Sequence, residues 1–190
     1  RPQLETYGSI DFATPGSITQ NEFTPVIVEA LRRLLKETRC GSTKAVGAIP
    51  NYSVFTSILT LPTMNRKDLA SAIHWEAKKF VPMPLDDMVL DWKVLESNID
   101  PQKGGGEKEA PDVSSRIASI RVLITAAPKV TVQKYVEVFK AVSLELVRLE
   151  TESFALERSL VGMDRTPTMI VDIGASTTSI IITENGIPVL

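Results

Sequence analysis

One well-patterned helix followed by two closely spaced strand-like runs is the feature that most limits how this chain can fold. Thr24 can cap a helix, Pro25 suits its first position, and Phe23, Ile27, Leu31, Leu34 and Leu35 supply an apolar stripe at helical spacing. Lys36 and Arg39 fall near its end, where cations suit the helix dipole, and Gly41 stops it. Residues 44–49 and 54–61 then read as strands, separated only by Pro50-Asn51-Tyr52. Helix, strand, strand in this order predicts a layered α/β or α+β architecture.

The pattern continues downstream. Asn65 is placed to cap a second helix, and Leu69, Ile73, Ala77 and Phe80 recur at the spacing of a core-facing stripe. Val81-Pro82-Met83-Pro84 ends that helix, because proline disfavours helix in the residue before it and donates no backbone hydrogen bond. Residues 89–95 alternate as a strand and 117–126 read as another, joined by a polar stretch containing Gly104-Gly105-Gly106 that tips a hairpin. A third helix over 129–142 precedes a strand at 144–149, and Thr151 opens a fourth helix running to about Val161. Two strands, 168–173 and 179–183, lead to Asn185-Gly186, the strongest short hairpin signal in the sequence. Upstream, Thr6–Ile10 reads as a strand and Thr14-Pro15-Gly16-Ser17 as a turn.

Composition removes several classes of function. The 190 residues carry 21 Lys+Arg against 23 Asp+Glu, a net charge of −2 that gives no basic face for nucleic acid. Cys40, the single cysteine, cannot form an internal disulfide, so a reducing compartment is the default. With His74 the only histidine, neither a Cys/His zinc site nor a Ser/His/Asp relay can be built on the usual template. No run of about 18 apolar residues marks a membrane-spanning helix, and no segment of this sequence reads as a signal peptide. The triple glycine lacks the Gly-Lys-Ser/Thr ending of a phosphate loop and reads as a connector. The chain starts at Arg1 rather than Met and stops at Leu190 inside an apolar run, as a piece of a longer polypeptide would.

Chemistry concentrates in Met169-Ile170-Val171-Asp172-Ile173-Gly174-Ala175-Ser176-Thr177-Thr178-Ser179-Ile180. A buried apolar strand delivers an aspartate at its end, a glycine permits a tight turn, and small hydroxyl residues lead into a second strand. Such a hairpin offers backbone N–H groups and hydroxyls to an oxyanion, with Asp172 placed to hold a hydrated magnesium ion. Asp-x-Gly between strands is also a common turn, so local physics leaves both readings open.

This segment resembles the second phosphate-binding hairpin of the actin-like ATPase superfamily. A more specific likeness lies upstream. His74-Trp75-Glu76-Ala77-Lys78-Lys79-Phe80-Val81-Pro82-Met83-Pro84-Leu85-Asp86-Asp87-Met88-Val89-Leu90-Asp91-Trp92 resembles the signature of the PilM family of type IV pilus assembly, and Leu149–Leu156 resembles that family's strand-to-helix join. The resemblance implies an α/β, actin-like (FtsA-like) first lobe with subdomains 1A and 1C, plus the first strands of a second lobe. It places 1A at 1–60 and 145–165, an inserted 1C at 61–144, and the start of subdomain 2A at 166–190.

By the same resemblance the full-length family member binds ATP and Mg, with at most weak ATPase activity. Asp172, Gly174, Ala175, Ser176, Thr177 and Thr178 would be its nucleotide-binding residues, with Asp172 on the metal. The family's first phosphate loop and adenosine pocket do not occur in this sequence, so this piece is expected to be inactive alone. The implied partners are the N-terminal tail of a PilN-like inner-membrane protein and other proteins of the pilus alignment complex, with self-association also allowed and no direct membrane insertion. The implied location is cytoplasmic, held at the inner membrane through the partner. Tyr52, Phe80, Pro82 and Pro84 are candidate partner-binding residues, and ordinary core packing is the competing reading of the same side chains. A sugar or acid kinase of the same superfamily and a GspL-like type II secretion platform protein are the alternative functions.

Overall fold

A computed structural model describes residues 3–12, 23–97, 119–174 and 177–189. Its elements in chain order are α1 (Thr24–Glu37), β1 (Lys44–Ile49), β2 (Phe55–Pro62), α2 (Arg66–Phe80), β3 (Met88–Ser97), β4 (Ser119–Pro128), α3 (Lys129–Ala141) and β5 (Glu145–Thr151). There follow α4 (Glu152–Leu156), a π-helical turn (Glu157–Val161), β6 (Thr168–Ile173), β7 (Thr178–Glu184) and β8 (Ile187–Pro188). The chain divides into two compact units: Phe55–Ala126, and the described residues before and after it.

The inserted unit is a three-stranded sheet, ordered β2-β4-β3, with α2 against it. β2 and β4 pair antiparallel from Phe55↔Ala126 to Pro62↔Ser119. That register puts Leu59 and Leu61 beside Val122 and Ile120 on one face, where Leu69, Ile73 and Ala77 of α2 cover them. Ile73, Val122 and Ile124 are fully enclosed, and burying a side chain of this size contributes roughly 1.5–3 kcal/mol. Asn65 caps α2 as its sequence predicts, accepting a 2.9 Å hydrogen bond from the Asp68 amide. The helical stripe ends differently from the expectation. Val81, four residues after Ala77, enters the core, while Phe80 stays half-exposed at 49%.

The other unit is organised by β1 and β5, which run parallel and side by side from Lys44↔Glu145 to Ile49↔Thr151. Parallel neighbours require a long crossover, and here it contains the whole inserted unit followed by α3. α3 lies against β5 and α1, and its Tyr135 joins Ile49 and Ala127 in a second core with Val54, Val132, Phe139, Leu146 and Leu149 around it. The segment expected as the insert, 61–144, and the compact unit overlap without coinciding. β2 belongs with β4 because they share hydrogen bonds along their whole length, and α3 belongs with the β1–β5 pair on which it packs.

Several local expectations are corrected. Phe23 rather than Thr24 occupies the N-cap of α1, no side chain caps it, and the Thr24 hydroxyl is buried without a hydrogen-bond partner. α1 ends at Glu37, well before Gly41, with Arg39 taking up the left-handed turn at φ 52°. Thr6–Ile10 is not a strand. The turn expected at 14–17 and the triple-glycine loop lie outside the described residues. The fourth helix is regular only to Leu156 and then widens into the π-helical turn. Asn185 and Gly186 do form the predicted hairpin turn, both at positive φ (53° and 75°).

Replacing Asn65 by alanine should cost about 1 kcal/mol through loss of the α2 cap. Urea denaturation read at the helical far-ultraviolet signal checks this, and an unchanged midpoint would show that the Asp68 amide finds another acceptor.

Candidate functional site

The hairpin picked out by sequence is a β6–β7 antiparallel pair in register from Thr168↔Thr183 to Ile173↔Thr178. Strand alternation divides its residues between two faces. Asp172 stands opposite Ser179, half-buried, on the face that also holds the buried Ile170 and Ile181. Thr178 stands opposite Ile173 on the other face and is exposed. Asp172 and Thr178 therefore do not converge within the ladder, and Ser179, which the motif reading left out, is the hydroxyl residue that shares the aspartate's face. Ala175 and Ser176 lie outside the described residues.

At the turn the Gly174 N–H donates to the Thr177 carbonyl at 2.9 Å, so that amide is already engaged. Glycine is favoured there by proximity, since a Cβ would sit 3.0 Å from the same carbonyl oxygen and force it to give way. The strand, expected to be buried, is covered on one face only. Met169, Val171, Ile173 and Ile180 are all more than half-exposed, with Ile173 at 79%. Among the described residues no group of three or more His, Cys, Asp or Glu side chains could enclose a metal. A lone Asp172 fits magnesium in one way only, as a single carboxylate on an ion that keeps its waters and takes its other oxygens from a phosphate.

A second constellation gathers where β1 and β5 end. Glu152 Oε2 lies 3.5 Å from the Asn51 N–H, and the Asn51 side-chain oxygen accepts from Ser153 N–H at 3.2 Å and Ser153 Oγ at 2.8 Å. Thr151, at the N-cap of α4, makes no side-chain cap of its own. Asn51 thus does the capping from 102 residues away and ties the exit of β1 to the start of α4. Beside it Tyr135 is 8% exposed, and burial pushes its phenol up to about 12, with Tyr52 and Glu152 adding to the shift. One turn further on, Arg158 pairs with both oxygens of Glu150 at the other end of that short helix.

The candidate partner-binding residues are distributed between the units. Tyr52 lies in the unit built on β1 and β5, the outer one in sequence, and Phe80, Pro82 and Pro84 lie in the insert at the exit of α2. All four are exposed. Met83 is exposed beside them, a residue the sequence reading did not single out. The helix stop fixes this segment: Val81 N–H donates to the Ala77 carbonyl at 2.9 Å, and Asp87 N–H to the Pro84 carbonyl at 3.0 Å.

A mixed α/β chain with an inserted sheet-and-helix unit and a strand–Asp-x-Gly–strand hairpin has the makings of an actin-like fold, and comparison with solved structures gives that fold. The match to a chain titled "PilM-PilN type IV pilus biogenesis complex" has a TM-score of 0.69 at 26% identity, over 92% of this chain and 50% of that one. The cytoplasmic domain of EpsL, an inner membrane component of the type II secretion system of Vibrio cholerae, matches with a TM-score of 0.53 at 11% identity. That match covers 83% of this chain and 54% of the other, and it speaks for the fold alone. Residues 3–189 match the family model of the type IV pilus assembly protein PilM, and the chain belongs to that family. It spans about half the length of the solved chains it resembles.

The buried phenol provides a pH test. Because folding raises the Tyr135 pKa above the usual value near 10, the unfolded chain loses its proton first. Stability should therefore fall as pH climbs from about 10 to about 12. In an ultraviolet phenolate titration one late-ionising tyrosine should be present, and Tyr135→Phe should remove it. An unchanged titration curve in that variant would contradict the assignment.

Proposed function

We propose that this chain is the part of an actin-like pilus-assembly scaffold that receives the N-terminal tail of a PilN-like inner-membrane protein. The observation that carries the proposal is the 26%-identical match to PilM in a PilM–PilN complex, extending over 92% of this chain. The exposed Phe80, Pro82 and Pro84 on a pinned turn of the inserted unit support it with apolar surface of the kind such a tail needs, and Tyr52 is exposed beyond β1 in the other unit. Attachment to the inner membrane would come through the partner; no helix among the described residues is long and apolar enough to cross a membrane. The scaffold would work on the cytoplasmic side, with other proteins of the pilus alignment complex and further copies of itself as additional contacts.

In the full-length protein the β6–β7 hairpin would serve ATP. Asp172 would hold the hydrated magnesium, and the turn from Gly174 through Ala175 and Ser176 to Thr177 and Thr178 would lie against phosphate. The chemistry that Mg-ATP supplies there is the phosphate charge that a hairpin of amides and hydroxyls can orient. Ser179, on the aspartate's face, is the neighbour best placed to steady that carboxylate.

Calorimetric titration of the chain with a synthetic peptide of the PilN-like tail tests the proposal. Saturable 1:1 binding in the micromolar range is expected, and Tyr52→Ala should weaken it severalfold. Absence of heat, together with unchanged amide chemical shifts at millimolar peptide, would overturn it.

A further inference from the structure

We propose that the solvent face of α2 is a second contact with the inner membrane, a shallow seat for anionic phospholipid headgroups. It rests on the functional reading for one point alone, that a partner's tail holds this chain at that membrane. Ile73 and Ala77 are fully buried in the insert core, and Trp75 stands two residues from each, so it leaves the helix on the side away from that core. Its side chain is 69% exposed. Lys67, Ser71, His74 and Lys78 are exposed as well, and their spacing sets them in one stripe with Trp75 along the helix.

The charges of α2 decide what this stripe can meet. Lys79 Nζ lies 2.6 Å from Glu76 Oε1, a pair that cancels. Asp68 sits in the first turn, held by the Asn65 side-chain amide at 2.5 Å, where the positive end of the helix dipole balances it. Lys67 and Lys78 make no ion pair among the described residues, and Lys78 Nζ instead stands 5.0 Å from the centre of the Trp75 ring. Two cations without a counter-charge therefore bracket an exposed indole, and a layer of negative headgroups complements both features. The indole, apolar in body with one polar N–H, suits the headgroup level, and lysine stems lie along apolar surface while their ammonium groups reach phosphate. An acidic polymer in solution would pair the lysines and leave the indole in water. Each lysine near an anionic leaflet raises partition roughly fivefold. Two lysines and one indole are too few to hold the chain unaided, because stable attachment takes two signals. Under a tail that already concentrates the chain at the bilayer, they suffice to fix which side of the insert faces lipid.

The test sediments the whole chain with vesicles of equal phosphatidylglycerol and phosphatidylethanolamine, at millimolar lipid and low salt. Pure phosphatidylcholine vesicles and polyglutamate are the comparison probes. Binding to the anionic vesicles is expected, weakening as salt rises and accompanied by blue-shifted tryptophan emission. Trp92 packs against the insert core, so that shift reports Trp75. Lys67→Gln and Lys78→Gln should each lower the partition about fivefold. Trp75→Ser should lower it severalfold and leave the emission of Trp92 unmoved by lipid, and circular dichroism confirms that the fold survives these solvent-face changes. No binding to the anionic vesicles above the neutral ones, or binding that none of the three variants weakens, overturns the inference. Tighter binding of polyglutamate than of the vesicles, weakened by the same variants, gives the stripe to an acidic protein and overturns it equally. The tail titration contains no lipid, so the two outcomes are read separately: failure of the tail to bind removes the functional reading, whereas failure of the vesicles to bind removes the lipid seat alone.

Discussion

Parallel pairing of β1 with β5 is the constraint on which the outer unit depends. It sets Ile49 beside Thr151, so the loops that leave the two strands begin together. That adjacency lets Asn51 serve as the N-cap of α4 and places Tyr52, Tyr135 and Glu152 in one neighbourhood. It also explains the insertion. A parallel pair must be joined by a crossover, and loop-closure entropy grows only slowly with length, so a self-contained unit in that connection costs little beyond its own folding.

The insert meets that condition because it carries its own core. α2 lays Leu69, Ile73 and Ala77 on the β2-β4-β3 sheet, and the helix stops where Pro82 and Pro84 forbid its continuation. The same stop produces the exposed turn. Once Val81 takes the next core position, the neighbouring Phe80 is left at the surface, and Leu85 and Met88 fasten the far side. A structural device for ending a helix thereby leaves apolar side chains exposed at the surface.

Features governed by local chemistry were readable in the sequence. The Asn65 cap, the proline stop, the Asn185-Gly186 turn and the strand pattern each depend on residues within a few positions of one another. Features decided by distant neighbours were not. Asn51 caps a helix 102 residues away, and nothing near it in sequence announces that role. Phe80 and Val81 both suit a helical stripe, and only the tertiary packing decides which one is buried. The hairpin motif places Asp172, Gly174 and Thr178 together as letters, whereas the pleat puts Asp172 with Ser179 and turns Thr178 to the other face.

The central proposal is that this chain receives a PilN-like tail, with the exposed, proline-bounded exit of α2 among the segments that meet it. Hydrogen–deuterium exchange of the whole chain, with and without saturating PilN-like tail peptide, measures this without altering a residue. Slowed exchange at 80–88, with β6–β7 unchanged, is the result expected. Protection confined to the β6–β7 hairpin, or none at 80–88 under saturating peptide, would contradict it.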